Sequence, residues 1–249
     1  MKAGTRPRLR RKIEKLNDML LGLGARVEES VHLAVKALDG NDAELAVKVL
    51  EGDLEIDRME VDLEEECLEI LALHQPVAVD LRHIVGVLKI NKDLERAADL
   101  AGNIANIALD LSREPQVTIS PEYFLMAAKT KDMLKKALDA FVNGATDAAY
   151  QVLVEDDAVD TMKRELHERF SERVEEHPRS LKPLTLLFLV SRHLERIADL
   201  ATNIAEEVIY IVTGEIVRHG RSFADDEYAR KKKRRKTPGA RLAFESLGE

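Results

Sequence analysis

The sequence predicts an all-α protein built from two tandem three-helix bundles, and three observations support that fold class. Of the 249 residues, 45% are hydrophobic but only 4% are aromatic, a composition that favours helices over strands. Apolar residues recur at helical spacing in long runs between a few Gly and Pro breaks. Twelve residues also occur twice, as LERAADLAGNIA from Leu94 to Ala105 and as LERIADLATNIA from Leu194 to Ala205. A repeat at a fixed offset indicates a duplicated structural unit.

Three long helices are predicted in the first half of the chain. Their expected ranges are about Leu9–Leu38, Ala43–His74 and Val77–Leu111. Gly40 ends the first helix, because glycine accepts a positive φ, and Asp42 is placed to cap the second. Pro76 ends the second helix, because proline disfavours a helical conformation in the residue before it.

The same order is predicted to repeat after a short linker from Glu114 to Ser120. Helices four and five are expected at about Glu122–Val142 and Asp147–Glu176, and helix six from near Pro183 to about Ile216. Short loops make consecutive helices antiparallel neighbours. The predicted domains are therefore residues 1–113, residues 114–220 and a basic, disordered tail at 221–249.

The net charge of −8 is unevenly distributed. Arg221–Glu249 contains nine Lys or Arg and five Asp or Glu, a net charge of +4, so the remainder carries −12. An acidic body argues against a nucleic-acid partner. The run RKKKRRK from Arg230 to Lys236 is typical of a solvated tail; contact with lipid, nucleic acid or a protein partner is the alternative.

The only cysteine, Cys67, excludes an intramolecular disulfide and a thiolate metal site. It lies among leucines and isoleucines, which predicts a small buried apolar residue. The sequence contains no run of eighteen apolar residues and no signal-peptide core. We therefore expect a cytoplasmic protein without a transmembrane segment.

Each half of the chain carries two acidic pairs on adjacent helices. They are Asp53/Asp57 with Glu95/Asp99, and Asp156/Asp160 with Glu195/Asp199. The i, i+4 spacing places both members of a pair on one helix face. Asp57 lies 19 residues before Pro76 and Glu95 lies 19 after it. Antiparallel helices with arms of equal length bring these positions level, so we expect the pairs to face each other in both halves.

Four facing carboxylates repel one another unless a cation neutralises them. An all-oxygen ligand set suits magnesium, calcium, manganese or iron, and helical bundles often build such sites from facing helices. A single acidic pair in a chain with 34% charged residues is more often a solvated surface, but symmetric recurrence across the repeat favours metal binding. The predicted metal ligands are Asp53, Asp57, Glu95, Asp99, Asn103, Asp156, Asp160, Glu195, Asp199 and Asn203.

Signatures of catalysis are missing from the sequence. No histidine lies at Glu-x-x-His spacing beside the acidic pairs, which disfavours a di-iron oxidase. The sequence also contains no nucleophile elbow, no Gly-rich phosphate loop and no HExxH motif. We therefore predict a protein that is not an enzyme, with no catalytic and no cofactor-binding residues. A carboxylate metalloenzyme on a helical bundle and a purely structural scaffold are the alternatives.

The segment CLEILALHQPVAVDLR from Cys67 to Arg82 resembles the CLxLLALQQPVAxDLR segment of the PhoU family, and the repeated LER…ADLA…NIA motif strengthens the match. The resemblance covers about Leu9–Val217. The sequence departs from the family where His74 replaces glutamine, where Ala98 and Ala198 replace glycine, and in the polar second-half segment FSERVEEHP. The basic tail has no obvious counterpart in the family.

This resemblance implies two three-helix bundles whose E(D)xxxD motifs bind multinuclear metal clusters, with zinc added to the candidate ions. It also implies a regulator that represses high-affinity phosphate uptake and phosphate-regulon signalling when phosphate is plentiful. The implied partners are the ATPase subunit of the phosphate ABC transporter and a sensor histidine kinase, through which the protein would associate peripherally with the membrane. We expect a homodimer as well, because amphipathic bundles often pair. An accessory protein of a low-affinity phosphate permease is the alternative function.

Overall fold

Six long α-helices dominate the computed structural model, which describes residues 5–115 and 117–217 and places no strand among them. The helices are α1 Thr5–Gly40, α2 Ala43–His74, α3 Val79–Leu111, α4 Pro121–Asn143, α5 Thr146–Glu176 and α6 Leu181–Thr213, with a 3₁₀ turn at Pro178–Ser180 before α6. The predicted all-α class is confirmed. The basic tail predicted at 221–249 lies outside the described residues, and the predicted domain limits stay a prediction.

Helix breaks fall near the predicted positions, with three local differences. Asn41, rather than Gly40, takes the positive φ after α1, at 48°. Helix α3 begins at Val79 instead of Val77, because Gln75 and Ala78 adopt positive φ angles of 46° and 50° on either side of Pro76. Helix α6 ends at Thr213 and not at Ile216, because the next residue is a glycine with φ 75°.

The first three helices form one bundle and the last three form the other, with each helix of a bundle contacting the other two. Helices α3 and α6 form the main contact between the bundles, and α1 and α4 add a smaller one. Among the described elements, α2 contacts only α1 and α3, and α5 contacts only α4, α6 and the 3₁₀ turn. Helices α2 and α5 are therefore the outer helices of the molecule.

The two central helices run antiparallel. Lys89 near the start of α3 lies 3.1 Å from the carboxylate of Glu207 near the end of α6. A Cβ atom at Gly86 would lie 2.5 Å from Ile211, so the helices approach closely because residue 86 has no side chain. This arrangement gives the two halves their pseudo-twofold relation.

The core follows the predicted apolar pattern. In α1, Leu16, Leu20, Leu23, Val27 and Val31 recur at helical spacing and are all fully buried. The buried thiol of Cys67 is packed in the same core, as the sequence predicts. Within the described part of the chain, none of the helices combines the length and apolar character needed to span a bilayer.

Candidate metal centres

Each outer helix faces a central helix across a group of four carboxylates. The first carboxylate stripe comprises Asp53 and Asp57 of α2 with Glu95 and Asp99 of α3. The second carboxylate stripe comprises Asp156 and Asp160 of α5 with Glu195 and Asp199 of α6. In both stripes the first aspartate and the glutamate are partly buried, whereas the other two aspartates are exposed.

Small residues on the central helix allow the outer helix to come close at the stripe. In α3, Ala98 and Gly102 are buried beneath α2, and a Cβ atom at Gly102 would lie 3.8 Å from the side chain of Leu50. The buried Ala198 and the partly buried Thr202 occupy the matching positions in α6. The repeated ADLA-x-NIA segment therefore supplies the second acid of each central helix, Asp99 or Asp199, together with the buried alanine that precedes it.

The acids of the first stripe interact electrostatically across the two helices. Burial, followed by repulsion from Asp57, Asp99 and Glu95, raises the pKa of Asp53. Burial, followed by Glu95 and Asp57, raises the pKa of Asp99. Since each of these aspartates is perturbed by acids of the facing helix, the two pairs lie level, as the equal distances from Pro76 predict.

The pKa values of the aspartates are raised further in the second stripe than in the first. Burial, followed by repulsion from Asp199, Asp160 and other acids, raises the pKa of Asp156 to about 7. Burial and the neighbouring Glu195 raise the pKa of Asp199 to about 6, against the opposing effect of Lys163 and Arg196. With a pKa of about 7, Asp156 is only partly ionised at neutral pH, because burial and the neighbouring acids leave its charged form poorly compensated.

Two lysines that the sequence argument did not identify supply a counter-charge. Lys92 Nζ lies 2.9 Å from Glu95 Oε2, and Lys163 Nζ lies 2.6 Å from Glu195 Oε1. The sequence spacing could have revealed both lysines. Lys92 lies three residues before Glu95 and Lys163 lies three after Asp160, so each lies on the helix face that carries the stripe. Each lysine neutralises one glutamate and leaves the aspartates repelling one another.

Asn103 and Asn203 lie one helical turn beyond Asp99 and Asp199, and both are exposed. They extend each stripe towards solvent, as their i, i+4 spacing predicts. In residues 5–115 and 117–217, no three Asp, Glu, His or Cys side chains converge closely enough to hold a metal ion. Metal binding at the ten predicted ligands therefore stays a prediction.

The donor chemistry of both stripes fits a hard cation. All eight carboxylates offer oxygen atoms, which magnesium, calcium and manganese prefer. Burial and repulsion from neighbouring acids raise the pKa of Asp156 and Asp199, so the negative charge of the second stripe is poorly compensated. His167 is close enough to the second stripe for Glu195 to influence its pKa. Its Nε2 atom, however, lies 3.3 Å from Ser191 Oγ.

The sequence matches a known protein family in both bundles. The model of the PhoU domain matches residues 20–108 and 124–208, one match in each bundle. A protein of Aquifex aeolicus, named as a homologue of the phosphate-specific transport system accessory protein PhoU, is 39% identical over 212 residues, covering 85% of this chain and 96% of the relative. A homologue of the same name from Pseudomonas aeruginosa is 38% identical and covers 83% and 86%.

Solved structures agree with these matches. The crystal structure of PhoU from Pseudomonas aeruginosa superposes with a TM-score of 0.80 at 37% identity, covering 82% of this chain and 98% of that one. The structure of the phosphate transport system regulatory protein PhoU from Streptococcus pneumoniae gives a TM-score of 0.79 at 28% identity, with coverage of 84% and 99%.

Proposed function

We propose, because this chain belongs to the PhoU family, that it is a non-enzymatic accessory protein of phosphate transport that represses high-affinity phosphate uptake and phosphate-regulon signalling when phosphate is plentiful. The observation that supports this function best is the match over both bundles to relatives named as phosphate-specific transport system accessory proteins. Family members of this kind are accessory proteins and not enzymes. The long exposed helix faces suit contacts with other proteins.

The experiment that tests repression is a deletion of the gene in the source organism. In excess phosphate, the deletion strain should show high alkaline phosphatase activity, and the intact gene should restore low activity. Activity that stays low in the deletion strain contradicts the repressor function and favours an accessory protein of a low-affinity permease. Phosphate uptake measured in the same strains separates the two, since loss of a permease accessory protein changes low-affinity uptake alone.

The proposed partners are the ATPase subunit of the phosphate ABC transporter and a sensor histidine kinase, which would bring the protein to the cytoplasmic side of the membrane. Co-purification of the tagged full chain with each purified partner, in high and in low phosphate, tests this directly. Binding to neither partner in high phosphate would contradict it. We also propose a homodimer, and sedimentation velocity over a range of concentrations measures the oligomeric state.

Both carboxylate stripes are proposed to bind hard cations, as a multinuclear cluster or as single ions. The first stripe with Asn103 and the second stripe with Asn203 would hold them. A bound cation would relieve the repulsion among the aspartates and fasten each outer helix to its central helix. Lys92 and Lys163 would have to leave Glu95 and Glu195, which they can do because both lysines reach solvent.

Removing two ligands of the first stripe tests the metal assignment. We expect Glu95→Ala/Asp99→Ala to lower the metal content of purified protein by about half, because the second stripe is intact. Elemental analysis after exposure to manganese and dialysis measures the content. Glu168→Ala/Glu172→Ala is the matched control, since this i, i+4 pair is exposed on α5 outside both stripes. Unchanged occupancy in the first variant would show that the stripe does not bind metal.

A further inference from the structure

An exposed apolar stripe runs along the outward face of α2. It consists of Val47, Leu54, Val61 and Leu68, whose exposed fractions are 42%, 63%, 49% and 53%. A spacing of seven residues is close to two helical turns, so the four side chains stay on one face over about 32 Å. Since α2 contacts only α1 and α3 among the described elements, no part of residues 5–115 and 117–217 covers this apolar stripe.

The duplicated helix shows that the fold does not require apolar residues at these positions. When Asp53 is aligned with Asp156, the four apolar residues correspond to positions in α5. Those counterparts are Tyr150, Asp157, Arg164 and Ser171. Three of the four are polar, yet α5 forms the same outer helix of its bundle. The outer position in a bundle therefore does not by itself require apolar residues on this face of the helix.

The surroundings of the apolar stripe are acidic. Glu51, Asp62 and Glu65 are exposed beside or between the apolar residues, and the exposed basic residues there are Lys48 and Arg58. A segment that covers this face must combine apolar side chains with positive charge, because two acidic faces would repel each other. This argues against a second copy of α2 as the occupant.

Residues 218–249, which lie beyond the described structure, combine apolar side chains with basic ones. Residues 218–249 include the run RKKKRRK at Arg230–Lys236, and also Phe223, Tyr228, Leu242 and Phe244. The relative from Aquifex aeolicus aligns over 212 residues, which is 85% of this chain and 96% of its own length. The match to the PhoU domain ends at residue 208, so the basic run lies beyond the part of the chain that the family model covers.

The described structure ends at the end of the molecule where α2 also ends. A Cβ atom at Gly214 would lie 3.3 Å from Nη1 of Arg82 in the first turn of α3. That turn follows the short loop after α2, so Val217 lies at the same end of the molecule as the last turn of α2. Arg230 follows Val217 by 13 residues, a length that can span about 45 Å. This span exceeds the length of the apolar stripe, which is about 32 Å.

We infer that residues 218–249 bind along the apolar stripe of α2 in the same chain, with the basic run beside Glu51, Asp62 and Glu65. The apolar side chains of this segment cover the valines and leucines of α2, and its lysines and arginines neutralise the acids around them. A partner that uses this face of α2 must then displace the segment.

Carbodiimide cross-linking of the full chain tests the inference, because this reagent joins lysines to carboxylates that are in contact. We expect cross-links from Lys231, Lys232, Lys233 and Lys236 to Glu51, Asp62 and Glu65, identified by mass spectrometry. A mixture of ¹⁵N-labelled and unlabelled protein distinguishes links within a chain from links between chains. In Leu54→Ser/Val61→Ser/Leu68→Ser, the yield of these cross-links should fall at least fivefold.

The matched control is Val154→Ser, which removes an exposed apolar residue (52% exposed) from the outer helix of the second bundle and should leave the cross-links unchanged. All substituted positions are exposed, and circular dichroism verifies that each variant remains folded. Three results would overturn the inference. They are cross-links distributed equally over the acids of α5, cross-links only between chains, and cross-links whose yield the triple variant does not change.

Discussion

At the scale of single residues, burial and mutual repulsion determine the character of the carboxylate stripes. The sequence predicted which eight acids would face one another and that they would need a cation. It did not predict that Asp156 would differ from its counterpart Asp53. The pKa of Asp156 rises to about 7, because its surroundings are more buried and Asp157 adds to the repulsion. Such differences depend on the packing around each carboxyl group, which spacing along the chain does not encode.

This raised pKa predicts a pH-dependent change in stability. Between about pH 4 and pH 7, the folded protein holds a proton on Asp156 that the unfolded chain has lost, so the free energy of unfolding falls as pH rises through this range. Asp156→Asn should therefore stabilise the metal-free protein at pH 8, by on the order of 1 kcal/mol after allowance for partial exposure to solvent. At pH 4 the gain should vanish.

Urea unfolding followed by circular dichroism in EDTA, at pH 4 and pH 8, measures this difference. Glu168→Gln, at an exposed position on the same helix, should change stability little at either pH. An equal effect of Asp156→Asn at both pH values would contradict the prediction.

At the scale of helices, most helix boundaries follow from residues close to them in the sequence. The contacts that hold one helix against another do not. Asp42 caps α2 by accepting a hydrogen bond from the backbone N–H of Leu45 at 2.9 Å, as the sequence predicts. In contrast, Glu66 is almost completely buried between α1 and α2, where Lys12 Nζ lies 2.7 Å from its carboxylate and Lys15 also donates to it. The partners are more than fifty residues apart in the chain, so no local pattern reveals them.

Removal of this buried ion pair should destabilise the protein. Burial by itself would raise the pKa of Glu66, but hydrogen bonds from Lys12 and Lys15 outweigh it and hold the pKa below its usual range. The interaction therefore stabilises the fold at neutral pH and is lost as pH falls through the lowered pKa. We expect Glu66→Ala to lower the free energy of unfolding at pH 7 by about 1–3 kcal/mol.

Glu69→Ala is the matched control for this measurement by urea unfolding. Glu69 also pairs with Lys12, at 3.1 Å, but its side chain is 48% exposed. Because exposed ion pairs contribute little, its loss should cost less than about 1 kcal/mol. Equal losses in the two variants would show that burial does not strengthen the Glu66 pair.

At the scale of the whole molecule, the contact between α3 and α6 joins the two bundles. The sequence repeat predicted two similar units, and the structure places them in antiparallel contact through Gly86 and Ile211. A sequence repeat indicates that two units have similar structures, but it does not indicate which faces of the two units are in contact. That choice follows from the shape of the two surfaces, here a glycine opposite a buried isoleucine.

Two glycines of α3 should respond to alanine substitution in opposite directions. Gly86→Ala would place a Cβ atom 2.5 Å from Ile211, and we expect a net loss of about 1–2 kcal/mol from overpacking, despite the better helix propensity of alanine. Gly102→Ala meets only Leu50 at 3.8 Å and should stabilise the protein by about 0.5–1 kcal/mol.

Thermal and urea unfolding of both variants measure these effects. Thr202 occupies the position in α6 that corresponds to Gly102, which supports the expectation that a side chain fits there. Stabilisation by Gly86→Ala would contradict the close contact between α3 and α6 at this position.

The sequence by itself determined the helical class, the two similar halves, the apolar faces and the register of the carboxylate stripes. Each of these properties depends on periodicity or on distance from a proline, and both can be measured along the chain. The tertiary structure alone decided that Lys163 of α5 pairs with Glu195 of α6, that Glu66 is buried with its lysines, and that Gly86 meets Ile211. These features join residues that are distant in sequence or depend on the environment of a side chain, and only the packing of the helices fixes them.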